Sequence, residues 1–278
     1  MYAIVPEVCS LIRKVLGPKY LKRPSTADFR RIAEEFDELH FPHCIGAIDG
    51  RHCPIRSPKH SGSAFFNYKK FNSIVLMMAI CDRHERFTMI NLRGYGSTND
   101  AFTLNNSDIS EMLENDPRAL PAPEMLPNSN TVAPFYLLGD GGFPLKSYLM
   151  KPYMKVRHMT PEMQVFNYRL SHARQTIECA FGRLRNQWAV NHTELAWKLE
   201  TCEEIIHSTI CLHNYKITME LRETRGFRNH WIDAPFGFVE QVDNVQVNFH
   251  FHAHQLRHTL SEYMVSRHGS VPWQWQHI

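Results

Sequence analysis

The stretch Cys44–Ile55, CIGAIDGRHCPI, decides the fold of this chain. It predicts two short apolar strands, Ile45–Ile48 and Cys53–Ile55, with Asp49 at the tip of the first. Asp-Gly is a strong turn dipeptide, so a turn is one explanation for this lone carboxylate. A functional group at the end of a buried strand is the other explanation. The stretch alone leaves both open.

The 278 residues are 43% hydrophobic and 21% charged, which is ordinary for a globular protein with a sizeable core. A net charge of +3 is too small to indicate a nucleic-acid partner, but residues 140–190 carry eight Lys or Arg against three Asp or Glu. Basic side chains that only solvate helices would give the same bias. The seven cysteines show no zinc-finger spacing. No apolar run approaches the roughly 18 residues of a membrane span.

More strand patterns follow the opening stretch. Residues 72–82, NSIVLMMAICD, are too apolar to have a solvated face, and residues 86–94, RFTMINLRG, follow after a turn. A meander of about three antiparallel strands is therefore expected. Phe135–Asp140, FYLLGD, predicts a further strand that ends in a carboxylate. The predicted fold class is α/β with a ribonuclease-H-like core, in which strands one and four lie side by side.

Helical patterns flank these strands. Residues 1–40 are expected to be helical, with a break at Gly17-Pro18 and with Ser25 or Thr26 as the cap of the second helix. A long amphipathic helix is predicted over 161–190, and another over about 200–222. The predicted apolar stripe of the long helix is Phe166, Leu170, Ala173, Ile177, Ala180, Leu184 and Trp188.

Three carboxylates are candidates for a common site, two at strand ends and one on the long helix. Asp49 and Asp140 each end a predicted strand, and adjacent strands would bring them together. Glu178 lies one residue past Ile177, about 100° from the apolar stripe, where it can face back over the sheet. The alternative is two Asp-Gly turns and a solvated Glu.

Carboxylates that share one point repel one another and stay ionised together only beside a cation. Oxygen ligands select a hard ion, so the expected cofactor is Mg²⁺ or Mn²⁺. Two such ions can activate a water and stabilise the leaving oxygen of a phosphodiester. Arg174 and Arg185 flank Glu178 on the same helix and could hold phosphates. The pattern thus favours metal-dependent phosphodiester cleavage.

Four blocks of sequence together resemble the Harbinger-type DDE transposase family, whose relatives include domesticated nucleases of animals. The resemblance covers about Val8 to Ile217. The blocks are FPHCIGAIDGRHCPIRSP (41–58), GSTNDAFTLNNS (96–107), LLGDGGFPLKSYLMKPY (137–153) and FNYRLSHARQTIECAFGRLRNQW (166–188). Two positions depart from the family pattern, namely Asn99 in place of His and Phe143 in place of Tyr. Neither departure removes a carboxylate.

The resemblance assigns the catalytic DDE triad to Asp49, Asp140 and Glu178. It adds Asp100 as a further metal position, so that all four carboxylates would be metal ligands. By its own context Asp100 is equally well explained as the N-cap of a helix over 101–107. The function implied is that of a divalent-metal-dependent DNA endonuclease.

Basic residues near this site are candidates for DNA binding. Arg174, Arg183 and Arg185 would hold the backbone. Lys151 and Lys155 belong to a loop around Tyr153 that could contact phosphates, or that could be an ordinary surface loop. The resemblance implies DNA as the partner, a separate Myb-like DNA-binding protein as recruiter, and a location in the nucleus with the cytoplasm as a further compartment.

Three regions are expected along the chain. Residues 1–43 would be a helical lead-in, the remnant of an N-terminal helix-turn-helix region that the family carries. Residues 44–222 would form the catalytic domain, and 223–278 an irregular C-terminal tail. Compared with the family that it resembles, this chain has a short region before the catalytic domain. A short N-terminal region casts doubt on DNA targeting by the chain alone more than on catalysis.

Other functions remain open from the sequence. A domesticated scaffold or DNA-binding regulator, which keeps the fold and has lost cleavage, is the rival hypothesis. A ribonuclease that acts on hybrids is a third, since the fold permits it. Lys69 and Lys70 could touch DNA backbone. The closely spaced His250, His252, His254 and His258 could bind a transition metal, although a chain with 17 histidines clusters them by chance.

Overall fold

The computed structural model describes residues 4–56, 65, 73–92, 99–116, 118–224 and 252–276, with the backbone alone for 73–76. The helices are α1 (Ile4–Tyr20), α2 (Thr26–Asp37), α3 (Asp100–Asn105), α4 (Asp108–Asn115), α5 (Pro161–Gln187), α6 (Leu199–Thr224) and α7 (Ala253–Val265). The strands are β1 (Cys44–Pro54), β2 (Ser73–Cys81), β3 (Phe87–Asn91), β4 (Glu124–Met125), β5 (Val132–Ala133), β6 (Tyr136–Leu138) and β7 (Leu149–Met150). Among the described residues, no helix combines the length and the apolar character needed to cross a membrane.

Helix α2 starts where its sequence predicts. The Ser25 hydroxyl accepts a hydrogen bond from the Asp28 N–H, and the Asp28 carboxylate accepts one from the Ser25 N–H. This reciprocal pair satisfies two N–H groups that have no partner within the helix. Helix α1, in contrast, does not break at Gly17-Pro18 but continues to Tyr20.

The first strand corrects the predicted turn at Asp49-Gly50. Strand β1 is continuous from Cys44 to Pro54, and its pairing with β2 runs unbroken from Ala47 past Asp49 to Arg51. The irregularity comes later, as a register shift between Arg51 and Cys53. Pairing with β2 gives the backbone around Asp49 its partners, and this outweighs the local turn preference of Asp-Gly.

The main sheet has five strands in the order β3-β2-β1-β6-β7. Strands β1, β2 and β3 form the predicted antiparallel meander, whereas β6 runs parallel to β1 and β7 parallel to β6. The strand predicted at Phe135–Asp140 therefore does lie beside the first strand. The fold is mixed α/β, and β4 and β5 form a separate short hairpin.

Helix α5 is the element that covers the sheet, and it packs on β1, β2 and β6. Six of the seven predicted stripe residues are fully or almost fully buried, which confirms the helical period. The seventh, Trp188, is half-buried and ends the helix as its C-cap. Helix α6 extends to Thr224 and packs against α1.

The C-terminal segment corrects the expectation of an irregular tail. Helix α7 buries Leu256, Leu260 and Met264 against α5, and a short 3₁₀ helix, Pro272–Gln276, follows it. Within α7 the buried residues Leu256, Leu260 and Met264 recur every four residues, but polar side chains separate them and no capping side chain marks where the helix begins. Tertiary burial supplies the stability that the local pattern does not show.

Candidate metal centre

Three half-buried aspartates meet at one point of the structure. Asp49, Asp100 and Asp140 each offer a carboxylate oxygen, and these oxygens all lie within 4.8 Å of one another. It is the one group of three or more potential ligands found among the described residues. The structure thus brings together three of the four carboxylates that the sequence predicts as metal ligands.

Asp49 lies in the middle of β1, opposite Ala79 of β2. Its side chain is 21% exposed, and its Oδ1 accepts a hydrogen bond of 2.8 Å from the Gly50 N–H. The strand therefore presents one carboxylate oxygen to the cluster from a rigid position.

Asp140 follows β6 in a loop that is held from two directions. The Gly142 N–H donates to Asp140 Oδ1 at 2.8 Å. The Lys151 ammonium donates to the carbonyls of Gly141 at 3.1 Å and Phe143 at 2.7 Å. Two donors of the Lys151 ammonium thus hold this loop, and the predicted contact of Lys151 with DNA stays a prediction. The lysine is therefore placed to orient Asp140.

Asp100 is the first residue of α3, and it is not the N-cap. The cap is Asn99, whose side-chain oxygen accepts a hydrogen bond of 2.8 Å from the Phe102 N–H. The capping explanation for Asp100 is therefore wrong, because its neighbour performs that role. A negative charge in the first turn is also stabilised by the helix dipole.

Glu178 stands apart from the aspartate group and is connected to it through Arg174. The Arg174 guanidinium contacts Asp49 Oδ2 at 3.4 Å and makes a short ion pair with Glu178 one helical turn along α5. Glu178 is exposed, with 52% of its side chain accessible, whereas the Arg174 side chain is only 18% exposed. The predicted metal role of Glu178 remains a prediction.

Burial and the negative charges of the cluster shift the pKa of Asp49. Burial raises the pKa of Asp49, and the nearby charges of Asp140 and Glu178 raise it further. The Gly50 hydrogen bond and the Arg174 charge lower that pKa in part. A divalent cation would neutralise such a site, and an oxygen-only donor set suits Mg²⁺ or Mn²⁺. The residues present therefore fit the expected ion.

The other predicted DNA-binding residues differ in their surroundings. Arg183 makes ion pairs with Glu85 at 3.4 Å and Glu220 at 2.5 Å. Arg185 is exposed and donates to His192 Nδ1 at 3.1 Å, and Lys155 is exposed. The sequence did not distinguish paired from exposed basic residues, because the partners of Arg183 and Arg185 lie on other elements.

Two further predictions concern lysines and histidines outside the aspartate group. Lys69 and Lys70 lie outside the described residues, as does His250. His252 precedes α7 and His254 lies in its first turn, and neither belongs to a cluster of potential ligands in the described part of the chain.

Comparison with known proteins assigns the family. Residues 48–214 match the sequence profile of the DDE superfamily endonucleases. The chain is 30% identical over 207 residues to "Protein ALP1-like" of Arabidopsis thaliana, covering 72% of this chain and 49% of that protein. It is 24% identical over 197 residues to "Putative nuclease HARBI1" of Bos taurus, covering 69% and 51% respectively.

The chain thus spans about half the length of the curated relatives it matches. No solved structure matches it at a significant level. The profile covers more than half of the chain, and its span includes all four predicted acidic ligands, Asp49, Asp100, Asp140 and Glu178. This chain belongs to the DDE superfamily endonuclease family.

Proposed function

We propose that this protein is a divalent-metal-dependent DNA endonuclease derived from a Harbinger-type transposase. The observation that carries the proposal is the meeting of Asp49, Asp100 and Asp140, which come from three separate segments of the chain. Membership of the DDE superfamily endonucleases supports the same reaction class.

The sheet supports a ribonuclease-H-like core. Its order is an antiparallel meander, β3-β2-β1, followed by two strands parallel to the central one. This order places Asp49 in the central strand and Asp140 just beyond the neighbouring strand. The close approach of the two carboxylates is a direct result.

The aspartates would hold Mg²⁺ or Mn²⁺, with Asp49 and Asp140 shared between ions and Glu178 completing one site. When bound, two such ions supply an activated water and stabilise the leaving 3′ oxygen of a phosphodiester. The contribution of the chain is to fix the oxygens: β1 sets Asp49, the Lys151-held loop sets Asp140, and α3 sets Asp100. The cleaved strand is expected to carry a 3′-hydroxyl.

The DNA backbone would be bound by basic residues near this edge of the sheet. Arg174, Arg185 and Lys155 are the residues proposed for this role. The DNA-binding role of Arg183 stays a prediction outside this proposal, because both of its ion-pair partners, Glu85 and Glu220, are carboxylates outside the proposed ligand set. Recruitment by a separate Myb-like DNA-binding protein and a nuclear location complete the proposal.

The test is nicking of supercoiled plasmid by purified protein with Mg²⁺ or Mn²⁺. Wild type is compared with Glu178→Ala, Asp49→Asn and the control Glu111→Ala, an exposed carboxylate of α4. We expect nicking that requires metal, is lost in the first two variants and persists in the control. An RNA–DNA hybrid assayed in parallel separates a nuclease for DNA from a ribonuclease.

Absence of nicking has two distinguishable causes. If calorimetry also shows no Mn²⁺ binding, the carboxylates do not form a metal site and the scaffold hypothesis is supported instead. If Mn²⁺ binds and the plasmid stays intact, a DNA-targeting partner is the missing component.

A further inference from the structure

Arg174 makes contact with two acidic residues from different elements. One guanidinium nitrogen contacts Asp49 Oδ2 on β1 at 3.4 Å, and the other pairs with Glu178 on its own helix. Its side chain is 18% exposed, less than that of either Arg183 (37%) or Glu178 (52%). The guanidinium is thus enclosed at the edge of the aspartate group.

These contacts use oxygens that a metal ion would need. Asp49 belongs to the aspartate cluster, and Glu178 is the remaining member of the proposed ligand set. A divalent ion on Asp49 and Glu178 would face the positive guanidinium across a few ångströms, and like charges at this distance repel strongly. Metal binding and the Arg174 ion pairs therefore oppose one another.

A guanidinium that leaves the carboxylates needs another anion. Its five donors in a planar fork match the geometry of a phosphate, which it can bind through two hydrogen bonds. A DNA phosphate held in the site would therefore remove Arg174 from Asp49 and Glu178. Once Arg174 has moved away, the carboxylate oxygens of Asp49 and Glu178 can bind the metal.

We infer that Arg174 is an internal cation that competes with the divalent metal for Asp49 and Glu178, and that a DNA phosphate displaces it. This inference rests on the proposed nuclease function. Metal and DNA then strengthen the binding of one another, because a coupling between two ligands is reciprocal. Arg174 is a positioning residue that admits the metal when substrate is present.

The first measurement is Mn²⁺ binding by calorimetry in the absence of DNA. Arg174→Met removes the competing charge and keeps an unbranched side chain of similar length. We expect the variant to bind Mn²⁺ about tenfold more tightly than wild type, since a charge-assisted ion pair no longer has to break. Arg183→Met is the matched control, because Arg183 also lies on α5 and pairs with two carboxylates, Glu85 and Glu220, that do not belong to the aspartate group. Its Mn²⁺ affinity should equal that of wild type.

The second measurement repeats the titration with a 20-base-pair phosphorothioate duplex, whose integrity is checked on a gel. For each protein we compare the Mn²⁺ affinity with the duplex and without it. This ratio should be at least about fivefold larger for wild type than for Arg174→Met. An equal gain in both proteins would overturn the inference, as would an Mn²⁺ affinity of Arg174→Met that equals or falls below that of wild type.

Failure of the proposed function gives a different result. If neither wild type nor Arg174→Met binds Mn²⁺, the metal site itself is refuted, and the inference fails with it. If Arg174→Met loses its native circular dichroism spectrum, Arg174→Gln decides. Glutamine keeps a polar side chain and carries no charge, so it does not repel the metal, and we expect tighter Mn²⁺ binding than in wild type. Unchanged or weaker binding by a folded Arg174→Gln would overturn the inference.

Discussion

Asp49 and Asp140 bring their carboxylate oxygens within 4.8 Å of each other because they lie on or just beyond two neighbouring parallel strands. The relationship depends on one topological fact, the placement of β6 beside β1. Asp100 enters the same group from the first turn of α3. Three ionised carboxylates this close together repel one another, and this repulsion destabilises the folded protein unless a cation binds between them.

Asp49→Asn should stabilise the metal-free protein. The pKa of Asp49 is raised on folding, so the folded state holds its proton more readily than the unfolded chain, and the ionised form costs stability at neutral pH. In EDTA near pH 7 we expect the variant to melt roughly 2–4 °C higher than wild type by calorimetry. The difference should vanish as the pH falls through the raised pKa, where wild-type Asp49 becomes protonated.

Saturating Mg²⁺ should reverse this order, because only wild type then gains the stabilisation that a bound ion confers. A variant less stable than wild type in EDTA at neutral pH would show that the carboxylate is favoured by its surroundings. That result would contradict the direction of the Asp49 pKa shift.

Lys151 and Lys155 should behave as two different kinds of lysine. Lys151→Met removes the donor to the carbonyls of Gly141 and Phe143, so the loop that carries Asp140 loosens. We expect weaker Mn²⁺ binding in calorimetry, by about tenfold. Lys155→Met should leave Mn²⁺ affinity unchanged, weaken DNA binding, and lower the slope of log affinity against log salt by about 1. Equal effects of both variants on Mn²⁺ affinity would refute the distinction.

Asn214 on α6 should be essential for stability. Its buried side chain accepts a hydrogen bond from the Phe87 N–H and donates to the carbonyls of Phe87 and Tyr20, which connects α6, β3 and α1. Asn214→Leu leaves these backbone groups without a partner, and we expect a loss of about 3 kcal/mol in urea unfolding. The exposed Asn115→Leu is the control, which should change stability by about 0.5 kcal/mol or less. A loss of similar size in both variants would contradict this role.

Arg169 should hold the C-terminal segment against α5 and the rest of the fold. This arginine of α5 is 2% exposed and donates to the carbonyls of His40 at 3.0 Å and Gly269 at 2.9 Å. Burial lowers its pKa to about 10. Arg169→Met should cost about 3 kcal/mol of stability and make α7 sensitive to limited proteolysis.

The exposed Arg267→Met serves as the control for that change and should alter neither measurement. If α7 of Arg169→Met resists proteolysis as in wild type, the segment is held by apolar packing alone. The hydrogen bonds of Arg169 would then have no role in docking it.

Local side-chain patterns predict much of the secondary structure. The apolar run of β2, the strand before Asp140 and the helical stripe of α5 are each set by side chains close in sequence, whose periodicity is that of the element they form. Strand order then follows from few possibilities, since consecutive strands pair as a meander and the next strand can return parallel beside the first. The positions of Asp49 and Asp140 were predictable on this basis.

Contacts between distant elements were decided by the tertiary structure alone. Whether Asp49-Gly50 turns or continues as a strand depends on the ladder that β2 offers. Whether the Lys151 ammonium holds the loop of Asp140 depends on where the Gly141 carbonyl lies. The pairing of Arg174 with Asp49 depends on how α5 crosses β1. The sequence by itself determined which residues carry charge and which elements they occupy. Only packing decided which charges meet, because the energy of an ion pair or hydrogen bond depends on distances that local sequence does not set.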